Sequence, residues 1–351
     1  MKDNKDFLAN LLKAYSPSGC ENEALKVWDN FCNEHNFEPT YKDKIGNHAV
    51  KIGNGPTKIL LSGHIDEVNS RVQYIADSGM ISIISTGGMD RKSLIASEVI
   101  ILGDNGPVKG IIGKRPIHLE STKERDEMED FDAFRIDVGA ESKAEVESLG
   151  IYPGSIVVYK RNVDVDFGTY KICANALDDK IAVYITGMIL DRLNKNNGDW
   201  RDQYTIIGMA TVQEETGCRG AQIASKNINA DISIDFDVTF STDGDLGISK
   251  VKQGDIELGK GGVLMYGPDK SIRIASLMKT ICKEKNIPYQ TTSSRCGGTN
   301  TNQIQLMSAD CETMLISIPN RNMHTPVEVC DWRDVDSIIN MVSEAIVSKK
   351  L

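Results

Sequence analysis

The feature that most restricts this chain is an alternation of helix-spaced and strand-like segments, interrupted once by a long stretch of different texture. Phe7 to Phe31 carries Leu8, Leu11, Leu12 and then Ala24, Leu25, Val27 and Trp28 at helical spacing, and Ser16-Pro17-Ser18-Gly19 divides it into two helices. Ser18 followed three residues later by Glu21 predicts a capping box. A buried strand over Ile59-Leu60-Leu61 ends at His64. After Lys171 the alternation resumes. Leu177 to Leu193 reads as a helix, and Tyr204 to Val212 and Asp231 to Val238 read as buried strands. A helix over Ile272 to Lys283, a strand over Thr313 to Ile318 and an amphipathic helix over Val335 to Val347 complete the pattern. Such alternation predicts an α/β fold, a mixed and largely parallel sheet with helices on both faces.

The interruption runs from about Asn69 to Asn162. Short alternating runs such as Ile81-Ser82-Ile83-Ile84 and Val99-Ile100-Ile101-Leu102 stand between Gly-Gly, Asp-Asn-Gly and Gly-Pro turns, which predicts a small all-β module. A chain of 351 residues exceeds one ordinary core. The expected organisation is therefore a catalytic domain over 1–68 plus 166–351, with a small β-rich domain inserted at 69–165.

Composition narrows the function. A net charge of -10 without clustered Lys and Arg argues against nucleic-acid binding. The local basic spots, Lys114-Arg115 and Lys123 to Arg125, are flanked by acidic residues and read as solvated loops. No segment approaches the ~18 apolar residues of a membrane span, and the N-terminus has no signal-peptide apolar core. The eight cysteines never form C-x-x-C, so they read as reduced, mostly buried thiols in a cytoplasmic protein.

Five residues of metal-ligand type fall where a strand pattern gives out or a helix begins: His64, Asp178, Glu215, Asp237 and His324. Two imidazoles and three carboxylates can hold two divalent ions, with one carboxylate bridging. Glu214, beside Glu215, is a spare carboxylate able to act as general base. Asp66, two residues beyond His64, could accept a hydrogen bond from the imidazole nitrogen turned away from the metal. Each fragment has a plainer reading. Asp178 and Asp179 suit a helix N-terminus, Glu214-Glu215 suits an acidic turn, and His324 suits an exposed loop. Asp235 and Asp237 within an apolar strand resist that treatment, because a buried carboxylate is costly unless paired or metal-bound. All five together at element ends point to metal-assisted hydrolysis.

The chain resembles the tetrahedral-shell (TET) aminopeptidases of metallopeptidase family 42. The resemblance rests on ordered motifs along the whole sequence. They include Ser16-Pro17-Ser18-Gly19, Asp43-Lys44-Ile45-Gly46-Asn47, Gly63-His64-Ile65-Asp66-Glu67-Val68 and Gly87-Gly88-Met89-Asp90. Further along stand Lys114-Arg115-Pro116-Ile117-His118-Leu119, Glu214-Glu215-Thr216-Gly217-Cys218-Arg219-Gly220-Ala221 and Pro319-Asn320-Arg321-Asn322-Met323-His324-Thr325-Pro326.

The resemblance implies a phosphorylase/hydrolase-like catalytic domain and makes the insertion a dimerisation domain. It implies that Asp178 bridges two ions, one also held by His64 and Asp237 and the other by Glu215 and His324. Glu214 would be the general base and Asp66 the outer partner of His64. The expected ions are zinc, with cobalt or manganese also suited, and the expected assembly is a homo-oligomer of dimers up to a dodecameric shell that admits short peptides. Three positions depart from the family pattern: Asn300 stands for an aspartate, Lys180 for an arginine, and Asn69-Ser70 for a glycine and an apolar residue. The expected activity is removal of N-terminal residues from short peptides. An amidase or deacylase of small molecules on the same scaffold is the alternative, with Asn300 in its favour, and a non-catalytic assembly protein is a third reading that the intact Glu214 and ligand set oppose.

Overall fold

The computed structural model describes residues 4–122, 130–295 and 297–351; Lys123 to Arg125 and Cys296 lie outside them. The chain divides into two compact units. The larger comprises 1–66, 163–323 and 327–351, and the smaller comprises 67–162 with 324–326.

In the larger unit the strands are β1 (Glu38–Lys42), β2 (His48–Ile52) and β3 (Thr57–His64), then β10 (Val163–Phe167), β11 (Lys171–Ala174), β12 (Tyr204–Thr211) and β13 (Ile232–Phe240). They are followed by β14 (Gly262–Tyr266), β15 (Tyr289–Ser293), β16 (Glu312–Asn320) and β17 (Glu328–Asp331). The main sheet has eight strands among the described residues, in the order β1-β2-β12-β3-β13-β16-β14-β15. Its centre, β12-β3-β13-β16, is parallel throughout, so the carboxyl ends of these four strands share one edge. The β1 and β2 strands, and the β14–β16 pairing, are antiparallel, so the sheet is mixed.

The principal helices are α1 (Lys5–Lys13), α2 (Asn22–Glu34), α3 (Leu177–Lys195), α4 (Arg219–Ile228), α5 (Ile272–Lys285), α6 (Asn300–Met307) and α7 (Trp332–Val347). Strand periodicity decides which helices meet which face. Ile59 and Leu61 of β3 pack in one cluster with Leu8, Trp28, Ile181, Ile185, Met278 and Val342. The intervening Leu60 packs in another with Met209, Ala221, Ala224 and Ile304. Thus α1, α2, α3, α5 and α7 cover one face while α4 and α6 cover the other. Each fully buried aliphatic side chain contributes about 1.5–3 kcal/mol to this arrangement.

The capping box expected at the start of α2 is not formed. The N-cap is Glu21, without a side-chain cap. Glu21 accepts from the Gly19 N–H at 2.6 Å, and the Ser18 hydroxyl donates to Asp66 at 2.6 Å instead. A local signature was overridden by a tertiary hydrogen bond.

The smaller unit contains β4 (Asn69–Ile75), β5 (Ile81–Thr86), β6 (Glu98–Gly103), β7 (Gly106–Ile112), β8 (Ile136–Asp137) and β9 (Ile156–Tyr159). These close into a barrel in the order β4-β5-β8-β7-β6-β9. Inward positions such as Val72, Ile81, Ile83, Val99, Ile101, Ile136 and Val157 fill it. Glu67 and Arg161, both largely buried, form an ion pair at the two ends of this segment.

Candidate metal centre

Metal-ligand-type side chains of the larger unit gather at the carboxyl edge of its parallel strands, where α/β sheets commonly bind ligands. β3 brings His64 there, and Gly63 makes room for what meets it. A Cβ on Gly63 would lie 2.5 Å from Ala182 Cβ and 2.8 Å from the Ala182 carbonyl carbon, so only glycine lets α3 lie this close to the strand. The first turn of α3 is not helical. Ala176 is left-handed with φ 59°, Asp178 and Asp179 leave helical angles, and the peptide between these two aspartates is cis. Asp178 Oδ1 lies 3.1 Å from His64 Nε2, while Asp179 Oδ2 accepts from the His64 backbone N–H at 3.2 Å. Buried Glu328 accepts from the Asp178 N–H at 2.9 Å and anchors this turn.

β12 ends at Thr211, opposite His64 in the ladder, and the chain then turns sharply. Gln213 and Cys218 both adopt positive φ, and the N–H groups of Gly217 and Cys218 bond the Glu214 carbonyl at 2.9 and 2.8 Å. Asp66 holds the turn from beneath. Its carboxylate accepts from the Glu214 N–H at 2.9 Å, the Glu215 N–H at 3.2 Å and the Ser18 hydroxyl. Toward His64 it offers its main-chain oxygen, 3.1 Å from Nδ1, with the carboxylate at 3.5 Å. β13 contributes Asp237, whose Oδ1 accepts from the Val238 N–H at 2.8 Å.

Two groupings result. Ligand atoms of His64, Asp178 and Glu215 lie within 4.8 Å of one another, as do those of His64, Asp179 and Asp237. Asp179, which reads from sequence as a helix-terminal charge, is thus part of the cluster. The other sequence-derived candidate, His324, belongs to the smaller unit. There its Nδ1 lies 2.8 Å from the Gly88 carbonyl oxygen, and its φ is 63°.

Electrostatics suit a cation. Burial raises the pKa of Asp237 and Asp179 well above the carboxylate range, and repulsion from neighbouring carboxylates adds to the shift. Glu214 is raised by burial too, against the opposing influence of His64 and Cys218. Burial disfavours charge on His64, but Asp178 and Asp66 outweigh it and hold its pKa above the usual imidazole value. Asp179 Oδ1 is buried with no hydrogen-bond partner among the described residues. A divalent ion would relieve this crowding, and imidazole with carboxylate oxygens is an ordinary donor set for one.

The sequence profile of the M42 glutamyl aminopeptidase family matches residues 46–341. The chain belongs to this family. It is 31% identical over 303 residues to a lysyl aminopeptidase of Pyrococcus furiosus, covering 85% of this chain and 84% of that one. Its fold matches a TET aminopeptidase of the marine sediment archaeon Thaumarchaeota archaeon SCGC AB-539-E09 with a TM-score of 0.91 at 28% identity, over 98% and 96% of the two chains. It matches the Pyrococcus horikoshii TET1 peptidase with a TM-score of 0.83 at 25% identity, over 97% and 98%. As an M42 protein the chain is a metal-dependent aminopeptidase, a hydrolase of peptide bonds, and the amidase alternative is not favoured.

Two departures from the family pattern have defined places. Lys180 is fully buried and donates to the Ala14 carbonyl at 2.8 Å, tying α3 to the end of α1. Asn300 is buried at the start of α6 and donates to the Thr211 hydroxyl at 2.9 Å, which itself donates to the Gly63 carbonyl at 3.2 Å. Asn300 therefore braces β12 and β3 behind His64.

Proposed function

We propose that this M42 aminopeptidase binds two divalent ions per subunit, with Asp178 as the shared carboxylate and His64, Glu215 and Asp237 as further ligands. Zinc suits this nitrogen and oxygen set, and cobalt or manganese would also fit. The role that the Pro319 to Pro326 motif gives His324, as the remaining ligand, stands on the family resemblance. The observation that carries the reading is the convergence of His64, Asp178, Asp179, Glu215 and Asp237 from three separate strand ends and one helix start. Ions held there supply Lewis acidity, polarising a carbonyl and making water more acidic.

The chain's own groups do the rest. Glu214 borders this cluster, its Oε2 3.8 Å from His64 Nε2. It takes the proton from the attacking water and returns it to the leaving amine. Asp66 fixes the backbone of both Glu214 and Glu215, so base and ligand are held by the same carboxylate.

The expected substrates are short peptides. The inserted barrel is proposed as a dimerisation domain, with exposed Tyr74, Ile84, Ile111 and Tyr152 as apolar surface to bury. The Pyrococcus horikoshii relative can assemble into a tetrahedron or a large octahedral shell. A shell of dimers of this chain would restrict entry to small peptides. No helix of the described residues is long and apolar enough to cross a membrane. Cys32, Cys218, Cys282, Cys311 and Cys330 are free thiols, which suits the reducing cytoplasm.

A panel of aminoacyl anilides and N-acylated amino acids, assayed on chelator-stripped protein with zinc, cobalt or manganese restored, tests the reading. Hydrolysis of the anilides, returning with about two ions per subunit, is expected. Turnover of the N-acylated compounds alone, or full activity without metal, overturns it.

A further inference from the structure

Cys218 reads from sequence as one more buried thiol, but the structure sets it against Glu214. Its Sγ lies 3.1 Å from Glu214 Oε1. Its backbone N–H bonds the Glu214 carbonyl at 2.8 Å, so main chain and side chain of Cys218 both hold the same residue. Cys218 has φ 53° at the N-cap of α4, and this left-handed conformation sets the thiol's position relative to the carboxylate. The residue is 8% exposed, which limits competition from water. Burial and the adjacent carboxylate push its pKa up, so it stays S–H, a donor and not a nucleophile.

We propose that Cys218 is a positioning residue for the base, its thiol holding Glu214 Oε1 so that Oε2 is the oxygen that exchanges the proton. A carboxylate tethered only through its backbone would rotate about its last torsion, which is broad and nearly unhindered. One weak S–H donor on a charged acceptor suffices to favour one orientation. The inference rests on Glu214 being the base. Asp66 governs the Glu214 amide, and Cys218 governs the carboxylate.

The test uses the metal-loaded enzyme with Cys218→Ala, Cys218→Ser and Glu214→Gln, alone and combined. In Cys218→Ala, kcat is expected to fall roughly three- to tenfold, the scale of losing one weak hydrogen bond, with KM, metal content and melting temperature nearly unchanged. Cys218→Ser keeps a donor and should recover most of that loss. In the Glu214→Gln background, Cys218→Ala should have no further effect.

The S–H stretching band, isolated as the wild-type minus Cys218→Ser infrared difference spectrum, should lie below that of an unbonded thiol and move when Glu214 becomes Gln. A kcat within twofold of wild type in Cys218→Ala, or no recovery with Ser, overturns the proposal. If Cys218→Ala loses metal or unfolds, the band decides, and a band indifferent to Glu214→Gln overturns it. Near-normal turnover in Glu214→Gln refutes the base itself, an outcome separate from a band that still reports the contact.

Discussion

In the inserted barrel, Glu98 stands at the surface with Lys109 and Lys160 bound to its carboxylate, and these ammonium groups draw its pKa down to about 2. In the larger unit, Asp179 and Asp237 are buried, and burial followed by carboxylate repulsion drives them the other way. Charge is crowded in both places, but among the described residues Glu98 has lysine counter-ions beside it and Asp179 and Asp237 have neither lysine nor arginine. A protein seldom leaves like charges buried together without compensation. The contrast teaches how to recognise a metal site in a fold: carboxylates that converge, are buried and lack lysine or arginine partners mark where a cation belongs.

The largest expected effect would break or uphold this contrast at Glu214. Glu214→Gln keeps size and removes basicity, so turnover should fall by roughly a hundredfold or more while metal content, read by elemental analysis, stays near wild type. Glu215→Gln should instead lose metal. Near-normal turnover in Glu214→Gln would mean that the crowded carboxylates include no base.

Next in size is Gly63→Ala. The added methyl meets Ala182, including backbone, so α3 must shift away from β3. Overpacking of this kind costs about 1–3 kcal/mol, and the shift should separate the Asp178-Asp179 turn from His64. A lowered melting temperature together with weakened metal affinity is expected. Destabilisation with unaltered affinity would show that the turn is placed by something other than this contact.

The smallest effects are opposite pH responses of the two units, followed by hydrogen exchange. Asp334 in the larger unit is raised to about 7 by burial, against the lowering influence of the Gly259 and Gly261 amides that it accepts from. A raised carboxyl stabilises fully below its unfolded pKa of about 3.9, and that contribution is lost as pH rises toward 7. Asp334→Asn should therefore flatten the larger unit's loss of stability over that interval. Glu98 works in reverse. Its lowered pKa gives stability present above the ordinary glutamate range and lost as pH falls toward 2, which Glu98→Gln should abolish in the barrel. The Glu98 effect should be slight and should fade with salt, because the group is at the surface. Equal slopes in the two units would remove the electrostatic distinction between them.

Much of the site is legible in the sequence because it depends on periodicity and on residue type. Apolar runs that stop at His64 and before Glu214, and Asp237 inside an apolar strand, mark the carboxyl ends of β3, β12 and β13 without any knowledge of their pairing. The helix-flanked sheet and the β-rich character of the insertion follow from the same local signals. What neighbours do to a residue is not legible. Asp179 looks like an ordinary helix-terminal charge until the first turn of α3 leaves helical geometry against Gly63. Ser18 has the spacing of a cap but bonds Asp66, and Cys218 gives no sign of touching Glu214. Strand order, with β1 and β2 added beside β12 and β14 and β15 beyond β16, is likewise settled only by pairing between distant segments. The sequence by itself determined the elements and the chemical inventory, since both are set by residues a few positions apart. Tertiary structure alone decided which carboxylate faces which neighbour, because many of those contacts join distant segments, as in His64 with Asp178 and Asp66 with Glu214, and the close Cys218–Glu214 pair depends on the turn that those contacts fix.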